Sequence, residues 1–274
     1  MGTVHGVYLK YVGLSALSYA GYSFVIASGE SKERFHSVLG QHSSLNQADV
    51  HGIRISWLRL CLASLLKYSS IVNGGIAVLF KLKRGMHLLG KDPTSGQLPR
   101  WSYVVFFPFH LPNIMYTFMH TKVGARKGTV PVASEIIPGW WIGGCYSNEL
   151  GKNWGGVIDL TVEFPEKCIE STDDYLLIPS WDGVPATPVE LEKAAVFAVQ
   201  ARKKGDVLIH CAHGRGRSTT VMCAALVKAG YFNTWQEAFE QGIKPKRAVC
   251  KLNSSMKKAL TIWQQNFIDA KKSL

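Results

Sequence analysis

The segment VLIHCAHGRGRSTTVMCAALVKAG, residues 207–230, decides the architecture of the second half of this chain. A short apolar run, Val207–Ile209, predicts a buried strand, and the stretch from Ser218 onward predicts a helix. Gly214 and Gly216 lie between the two elements. A strand, a glycine-bearing loop and a helix N-terminus in this order form a cradle for an anion, because backbone N–H groups converge there and the helix dipole favours negative charge.

Cys211 lies at the mouth of this loop, where the same N–H groups stabilise a thiolate. We therefore expect its pKa to fall from ~8.5 into the ~3.5–7.5 range of such sites, which makes it a nucleophile. Arg217 can grip two phosphate oxygens with its planar guanidinium. Ser218 is placed to hydrogen-bond the sulfur and make it a better leaving group. The residues predicted to bind phosphate are Ala212, His213, Gly214, Arg215, Gly216 and Arg217.

With these residues in place, His210–Ser218 resembles the signature loop of the cysteine-dependent protein tyrosine phosphatase superfamily, in its dual-specificity subclass. The resemblance covers about residues 130–268, and it also rests on residues 134–163, on Lys244-Pro245 and on Asn253. It implies a phosphoric monoester hydrolase that acts on phosphoproteins, at Tyr, Ser or Thr, through a cysteinyl-phosphate. It also implies that the reaction needs no metal and no cofactor.

The resemblance further implies a general acid on a loop before the signature strand. Asp182, within PSWDGVP, lies 211 − 182 = 29 residues before Cys211, a spacing similar to the family's. A tryptophan directly precedes it, without the intervening proline of the tyrosine-specific branch, which leaves the branch and the loop's mobility open. Asp173 and Asp174 compete for the role, but they precede a predicted strand, whereas such sites form at the carboxyl ends of strands.

Two other functions stay open on the sequence alone. Arg215 and His213 enter the loop without any acidic side chain, and residues 129–274 are too few for a deep pocket. This favours a phospholipid as alternative substrate, either a phosphoinositide or phosphatidylglycerophosphate. The second alternative is a catalytically silent module that binds phosphate without turnover. His210 is expected to shape the loop by hydrogen bonds.

Short strand patterns alternate with helix patterns throughout the second half, which predicts an α/β fold with a dual-specificity-phosphatase-like central sheet flanked by helices. A capping box at Thr187 marks the start of one helix. The predicted strands are 134–143, 156–161, 175–179 and 206–210, and the predicted helices are 188–203, 218–230 and 253–272.

The positive charge of the chain is concentrated in its first half. The 274 residues carry a net charge of +12. Residues 1–128 hold 14 Lys and Arg against 4 Asp and Glu (14 − 4 = +10), and residues 129–274 hold 17 against 15 (17 − 15 = +2). A basic excess suggests nucleic acid or an anionic membrane as partner. No zinc-ligand spacing, RNA-binding aromatic motif or recognition-helix pattern is present, so we expect no nucleic acid partner.

Three apolar stretches in the basic half favour the membrane. Residues 11–28 contain no charged side chain and residues 60–80 contain only Lys67, so both are predicted transmembrane helices. Residues 101–121 are interrupted by prolines and histidines, and we expect them to be interfacial or re-entrant. Basic residues, Lys91 among them, cluster in the 81–100 loop, which places that loop and the catalytic domain on the cytoplasmic side of an integral membrane protein.

A helical soluble domain and a cleavable signal peptide remain alternative explanations of these stretches. The predicted domain division is a helical, membrane-associated region 1–128 followed by a catalytic domain 129–274. We expect that catalytic domain to be soluble by itself.

Overall fold

The computed structural model of the chain describes residues 7–38, 48–126 and 130–270; side chains are described for 7–28, 57–121, 123 and 130–270. Predicted features at Lys122, Arg126, Lys127 and residues 271–272 therefore lie, wholly or in their side chains, outside the described residues. The α-helices are α1 Val7–Val38, α2 Ala48–Leu82, α3 Arg100–Val105, α4 Phe107–Arg126, α5 Pro188–Ala201, α6 Arg217–Lys228, α7 Trp235–Glu237, α8 Lys244–Lys246 and α9 Ser254–Gln264. The strands are β1 Ala133–Ile137, β2 Trp140–Gly143, β3 Gly156–Thr161, β4 Tyr175–Ser180 and β5 Val207–His210.

The strands form one mixed sheet in the order β1-β2-β5-β3-β4. β1 is antiparallel to β2, and the other neighbouring pairs are parallel. The predicted α/β architecture with a central sheet flanked by helices is confirmed. The single predicted strand 134–143 is wrong, because Pro138 and Gly139, whose φ is +82°, turn the chain back and split it into β1 and β2.

Helices α5, α6 and α9 pack against one another beside this sheet. Their buried faces differ in size: α5 contributes alanines such as Ala194 and Ala198, whereas α6 contributes Met222 and Leu226. Small residues on one helix and larger ones on the next let the two surfaces interdigitate closely. The predicted capping box at Thr187 forms, since Thr187 and Glu190 satisfy each other's backbone N–H groups.

The described contacts divide the chain into two compact units, Tyr8–Leu82 and a second that contains Lys83–Leu274 together with Val7. The predicted boundary between 128 and 129 stays a prediction, and the contacts group the segment 83–126 with the sheet. The clearest contact is that of Lys91, whose buried ammonium group reaches Asp159 on β3. Lys91 belongs to the basic cluster that the sequence analysis uses for the membrane topology, but its side chain is only 2% exposed and its charge is paired inside the protein.

In the first unit, α1 and α2 meet through small polar side chains. The Ser15 hydroxyl donates to the Ser70 carbonyl oxygen at 2.8 Å, and the hydroxyls of Ser18 and Ser69 lie 3.2 Å apart. The rings of Tyr11 and Phe80 also meet between the helices, with 5.1 Å between centroids, whereas many other large apolar side chains point outward; Leu17 is 73% exposed. Among the described residues, one helical segment, Trp57–Leu82, is long and apolar enough to cross a membrane, judged by its length of 26 residues and its mean hydropathy of 1.4.

Candidate active site

The loop 211–216 connects β5 at the centre of the sheet to the N-terminus of α6, as its sequence predicts. Gly214 has a φ of +64°, and a Cβ atom there would lie 2.6 Å from the Gly143 carbonyl oxygen, so only glycine fits. Arg247 secures the loop from outside, since its Nε donates to the Gly214 carbonyl oxygen at 2.8 Å and its Nη2 to that of His213 at 3.2 Å.

The Cys211 sulfur lies at the bottom of this loop, 3.4 Å from the Ser218 hydroxyl oxygen. Burial by itself would raise the pKa of Cys211. The positive charge of Arg217, the Ser218 hydroxyl, and the backbone N–H groups of Ser218 and Arg215 outweigh burial and lower the pKa of Cys211 below its ordinary value. The geometry therefore favours a thiolate.

Other buried cysteines show the opposite behaviour. Burial raises the pKa of Cys145 and of Cys168 to about 12, and that of Cys250 to about 11. Burial also raises the pKa of Cys223. At these thiols burial outweighs the nearby cations, such as Lys167 beside Cys145 and Arg247 beside Cys250, whereas at Cys211 the charge and hydrogen bonds outweigh burial.

Arg217 is fixed by a carboxylate that the sequence interpretation missed. Its Nη2 donates to Glu163 Oε1 at 2.7 Å and its Nη1 to Glu163 Oε2 at 3.3 Å, and Nη1 also donates to the carbonyl oxygens of Leu160 and Ser180. Its Nε is buried and has no hydrogen-bond partner among the described residues. A phosphate in the loop would supply that acceptor. The sequence feature that could have indicated this contact is the position of Glu163, an acidic residue just beyond the carboxyl end of β3.

Asp182 lies over the loop, with its carboxylate Oδ1 3.6 Å from Arg217 Nη2 and its side chain 38% exposed. The neighbouring Trp181 is fully buried; its Nε1 donates to the Arg84 carbonyl oxygen at 2.7 Å, and its ring packs edge-on against Phe109. On the other side, Asn253 donates to the Gly183 carbonyl oxygen at 2.9 Å. The acid loop is held in place from both sides.

The competing aspartates lie elsewhere. Asp174 precedes β4 and forms an ion pair of 2.7 Å with Lys204, and the backbone N–H of Asp173 donates to the Trp154 carbonyl oxygen. Both lie at the amino end of β4, whereas Asp182 follows its carboxyl end. The structure brings Asp182 to Arg217 and leaves the other two apart.

His210 joins the loop to a buried ionic cluster. Its Nε2 lies 2.6 Å from Glu166 Oε2 and 3.8 Å from Asp159 Oδ1. Burial works against its charged form, but Glu166 and Asp159 raise the pKa of His210 to about 9. Lys91 completes the cluster; besides Asp159, its ammonium donates to the Thr161 carbonyl oxygen at 3.0 Å.

Asp159, Glu166 and His210 also have ligand atoms within 4.8 Å of one another, a spacing that a metal ion would accept. Their charges are already balanced, because Lys91 and protonated His210 offset the two carboxylates. An additional cation would have to displace one of these partners. The arrangement therefore fits an internal ionic cluster that supports the loop.

One rim of the site comes from α4, which the sequence interpretation assigned to the membrane region. Arg215 Nη2 donates to His120 Nε2 at 3.2 Å, so His120 is neutral in this contact. The Tyr116 ring meets the His213 ring edge-on, with 5.7 Å between centroids. Burial lowers the pKa of His213 to about 4. Among the described side chains of this rim, Arg215 carries a permanent positive charge beside neutral aromatic groups.

No family model and no curated protein matches the chain. Solved structures that are similar to it include a mouse putative dual specificity phosphatase complexed with zinc tungstate, 23% identical, with a TM-score of 0.45 over 52% of this chain and 91% of that one. Human DUSP28 is 19% identical, with a TM-score of 0.42 over 50% of this chain and 95% of that one. PTPMT1 is 20% identical, with a TM-score of 0.42 over 52% of this chain and 99% of that one.

Proposed function

We propose that this chain is a membrane-anchored, cysteine-dependent phosphatase that hydrolyses phosphate monoesters through a cysteinyl-phosphate. The observation that carries the proposal is the Cys211 sulfur held between the Ser218 hydroxyl and the positive charge of Arg217, at the N-terminus of α6. This surrounding stabilises the thiolate, and the same loop can receive the oxygens of a phosphate.

In the first step the Cys211 thiolate attacks phosphorus, and the bond from phosphorus to the ester oxygen breaks. Asp182 gives its proton to that oxygen, so the leaving group departs as an alcohol. In the second step Asp182 takes a proton from water, the water oxygen attacks phosphorus, and the phosphorus–sulfur bond breaks. Ser218 then donates a hydrogen bond to the departing thiolate, and inorganic phosphate leaves.

The test is turnover of an aryl phosphate by the detergent-solubilised full chain. Cys211→Ser is expected to abolish turnover, and Arg217→Lys to reduce it strongly because a lysine cannot make the two-pronged contact. The matched control is Cys223→Ser, which changes a buried thiol on α6, outside the loop. Full turnover by the Cys211→Ser variant would refute the nucleophile, and absence of turnover in the wild-type chain would favour the catalytically silent module.

The membrane anchor in this proposal is supported by the polarity of α1 and α2. Serines lie beside the Tyr11–Phe80 ring contact where the two helices meet, and many large apolar side chains point outward, an arrangement that suits lipid better than water. We expect the full chain to stay in the pellet after alkaline extraction. Release by salt alone would mean that basic residues hold a soluble protein to the surface. The cytoplasmic orientation of the catalytic unit stays a prediction.

The last part of the proposal concerns the substrate class. The resemblance of the loop to dual-specificity phosphatases favours a phosphoprotein substrate. Arg215, whose guanidinium lies at the rim beside uncharged His120, favours a phosphorylated lipid. A panel of phosphopeptides, phosphoinositides and phosphatidylglycerophosphate separates the two. Arg215→Ala should reduce turnover of the lipids more than that of the peptides if the lipid is the substrate. An equal reduction, or a clear preference of the wild type for phosphopeptides, supports the phosphoprotein.

A further inference from the structure

Helix α4 buries the polar residues His110 and Thr117 beside Phe109, and its exposed face is apolar. His110 and Thr117 are each 2% exposed, and the Ser102 hydroxyl of α3 lies 3.1 Å from His110 Nε2. An outward stripe at helical spacing consists of Leu111, Ile114, Met115, Phe118 and Met119, whose exposed fractions range from 38% to 60%. The outer face of a helix that meets water normally carries polar residues. The outer face of α4 is apolar instead, so it is suited to an apolar surrounding.

The short helix α3 repeats the pattern. Its Ser102 is fully buried, whereas Trp101 and Val104 are 50% and 73% exposed. The exposed side chains of both helices stand on convex helical surfaces, and those of the α4 stripe carry no hydrogen-bonding group. A partner protein would need matching pockets, but the boundary between headgroups and acyl chains accepts protruding apolar side chains without them.

The charged residues around α3 and α4 indicate whether the surface that these helices contact is positively or negatively charged. The sequence from residue 100 to residue 128 contains Arg100, Lys122, Arg126 and Lys127 and no Asp or Glu. Basic residues next to an apolar helix face favour a bilayer that contains anionic lipids. The same chain holds the candidate membrane-crossing segment Trp57–Leu82, so a bilayer is the surface expected nearby.

We propose that the exposed apolar face of α3 and α4 docks on an anionic lipid bilayer and presents the active-site loop to phosphate esters held at that surface. The link to the site is direct, since Tyr116 and His120 on α4 contact His213 and Arg215 of the loop. Docking would place this rim at the level of the lipid headgroups. The part of the proposal that concerns substrate rests on the proposed phosphatase function, whereas the docking does not.

The docking is tested by spin-label accessibility with the full chain in vesicles of phosphatidylcholine and phosphatidylserine. A Cys61→Ser, Cys211→Ser background removes the exposed thiol and the reactive one. Nitroxides are attached at Met119→Cys and, as a matched control on α5, at Val189→Cys, since Val189 is 70% exposed. We expect the Met119 label to collide with oxygen dissolved in lipid and to avoid a water-soluble nickel complex, and the Val189 label to do the opposite.

Equal access of the nickel complex to both labels would overturn the docking. Protection of the Met119 label from both reagents, with dipolar broadening between labels, would identify a second copy of the chain as the occupant and would also overturn it. If the wild-type chain hydrolyses no aryl phosphate but the label of the Met119→Cys variant lies in lipid, the proposed function fails and the docking stands.

The consequence for turnover is measured as a ratio of two rates: hydrolysis of phosphatidylinositol phosphate in vesicles, divided by hydrolysis of a soluble aryl phosphate. Phe118→Glu puts a charge into the stripe, and Val189→Glu is its control. The ratio is expected to fall about tenfold for Phe118→Glu, as ~1.4 kcal/mol of lost surface binding would produce, and to keep its wild-type value for Val189→Glu. An unchanged ratio for Phe118→Glu would refute the presentation of substrate by this face.

Discussion

At the scale of single residues, the loss of turnover caused by removing Asp182 should be larger the more the leaving oxygen needs a proton. Asp182→Ala is expected to lower turnover of an alkyl phosphate by roughly 10²–10⁴ and that of a nitrophenyl phosphate far less. Steady-state kinetics on the two substrates measure the difference. Asp174→Ala, which removes the carboxylate paired with Lys204 at the other end of β4, is the control and should affect neither. Equal losses on both substrates would make Asp182 a structural residue.

The Ser218 hydroxyl should contribute to the pH dependence of kcat/KM. It lowers the pKa of Cys211 together with Arg217, so Ser218→Ala is expected to raise that pKa toward its ordinary value. Because the thiolate is the reactive form, the acidic limb of kcat/KM for an aryl phosphate should move to higher pH. Ser218→Thr keeps a hydroxyl and should keep the limb in place. A limb that does not move in Ser218→Ala would assign it to another group.

At the scale of elements, the segment that precedes α3 braces the loop between β3 and β4 through Lys91. Lys91→Met removes the closer of the two cations that face the buried Asp159 carboxylate and leaves the cluster with more negative than positive charge, so we expect the free energy of unfolding to fall by about 3–5 kcal/mol. Urea titration of the detergent-solubilised chain measures this. Lys204→Met, which removes a surface ion pair with Asp174, is the control and should unfold like the wild type.

A double variant makes the Lys91 prediction specific. Adding Asp159→Asn to Lys91→Met removes the excess negative charge and should recover part of the lost stability, since the penalty comes from a buried carboxylate that has lost its closest cation. If Lys91→Met unfolds no more easily than Lys204→Met, the cluster does not brace the fold.

These two scales explain what the sequence can predict. Cys211, Arg217 and Ser218 lie within eight residues of one strand–loop–helix segment, so local pattern alone predicts how they come together. Glu163 and Arg217 are 54 positions apart, and Lys91 and Asp159 are 68 apart, so only the tertiary fold pairs them. By sequence Lys91 is indistinguishable from the exposed basic residues around it. Local chemistry is readable from sequence, whereas buried ionic partners are not.

At the scale of the whole molecule, the contacts predict which fragment folds. Residues 129–274 lack Lys91, the Arg84 carbonyl that binds Trp181, and Phe109, which packs on the same ring. We expect this fragment to aggregate or to unfold at a clearly lower temperature than residues 83–274, in contrast to the expectation from sequence alone. Thermal unfolding and aryl phosphate turnover of the two fragments provide the comparison. Equal melting temperatures and turnover would show that the segment 83–128 is dispensable.

The buried Lys91–Asp159 contact also bears on how such a chain can change over generations. A recombination event that joined a different N-terminal segment to the chain after Leu82 would keep Lys83–Leu274, the main part of one compact unit, together. A crossover near residue 128 would separate Lys91 from the carboxylate that it neutralises and would be lost to selection. Inheritance of the sheet and its supporting segment as one module should therefore follow the ionic partners in its core, and descendants with new N-terminal segments should retain Lys91 and Asp159 together.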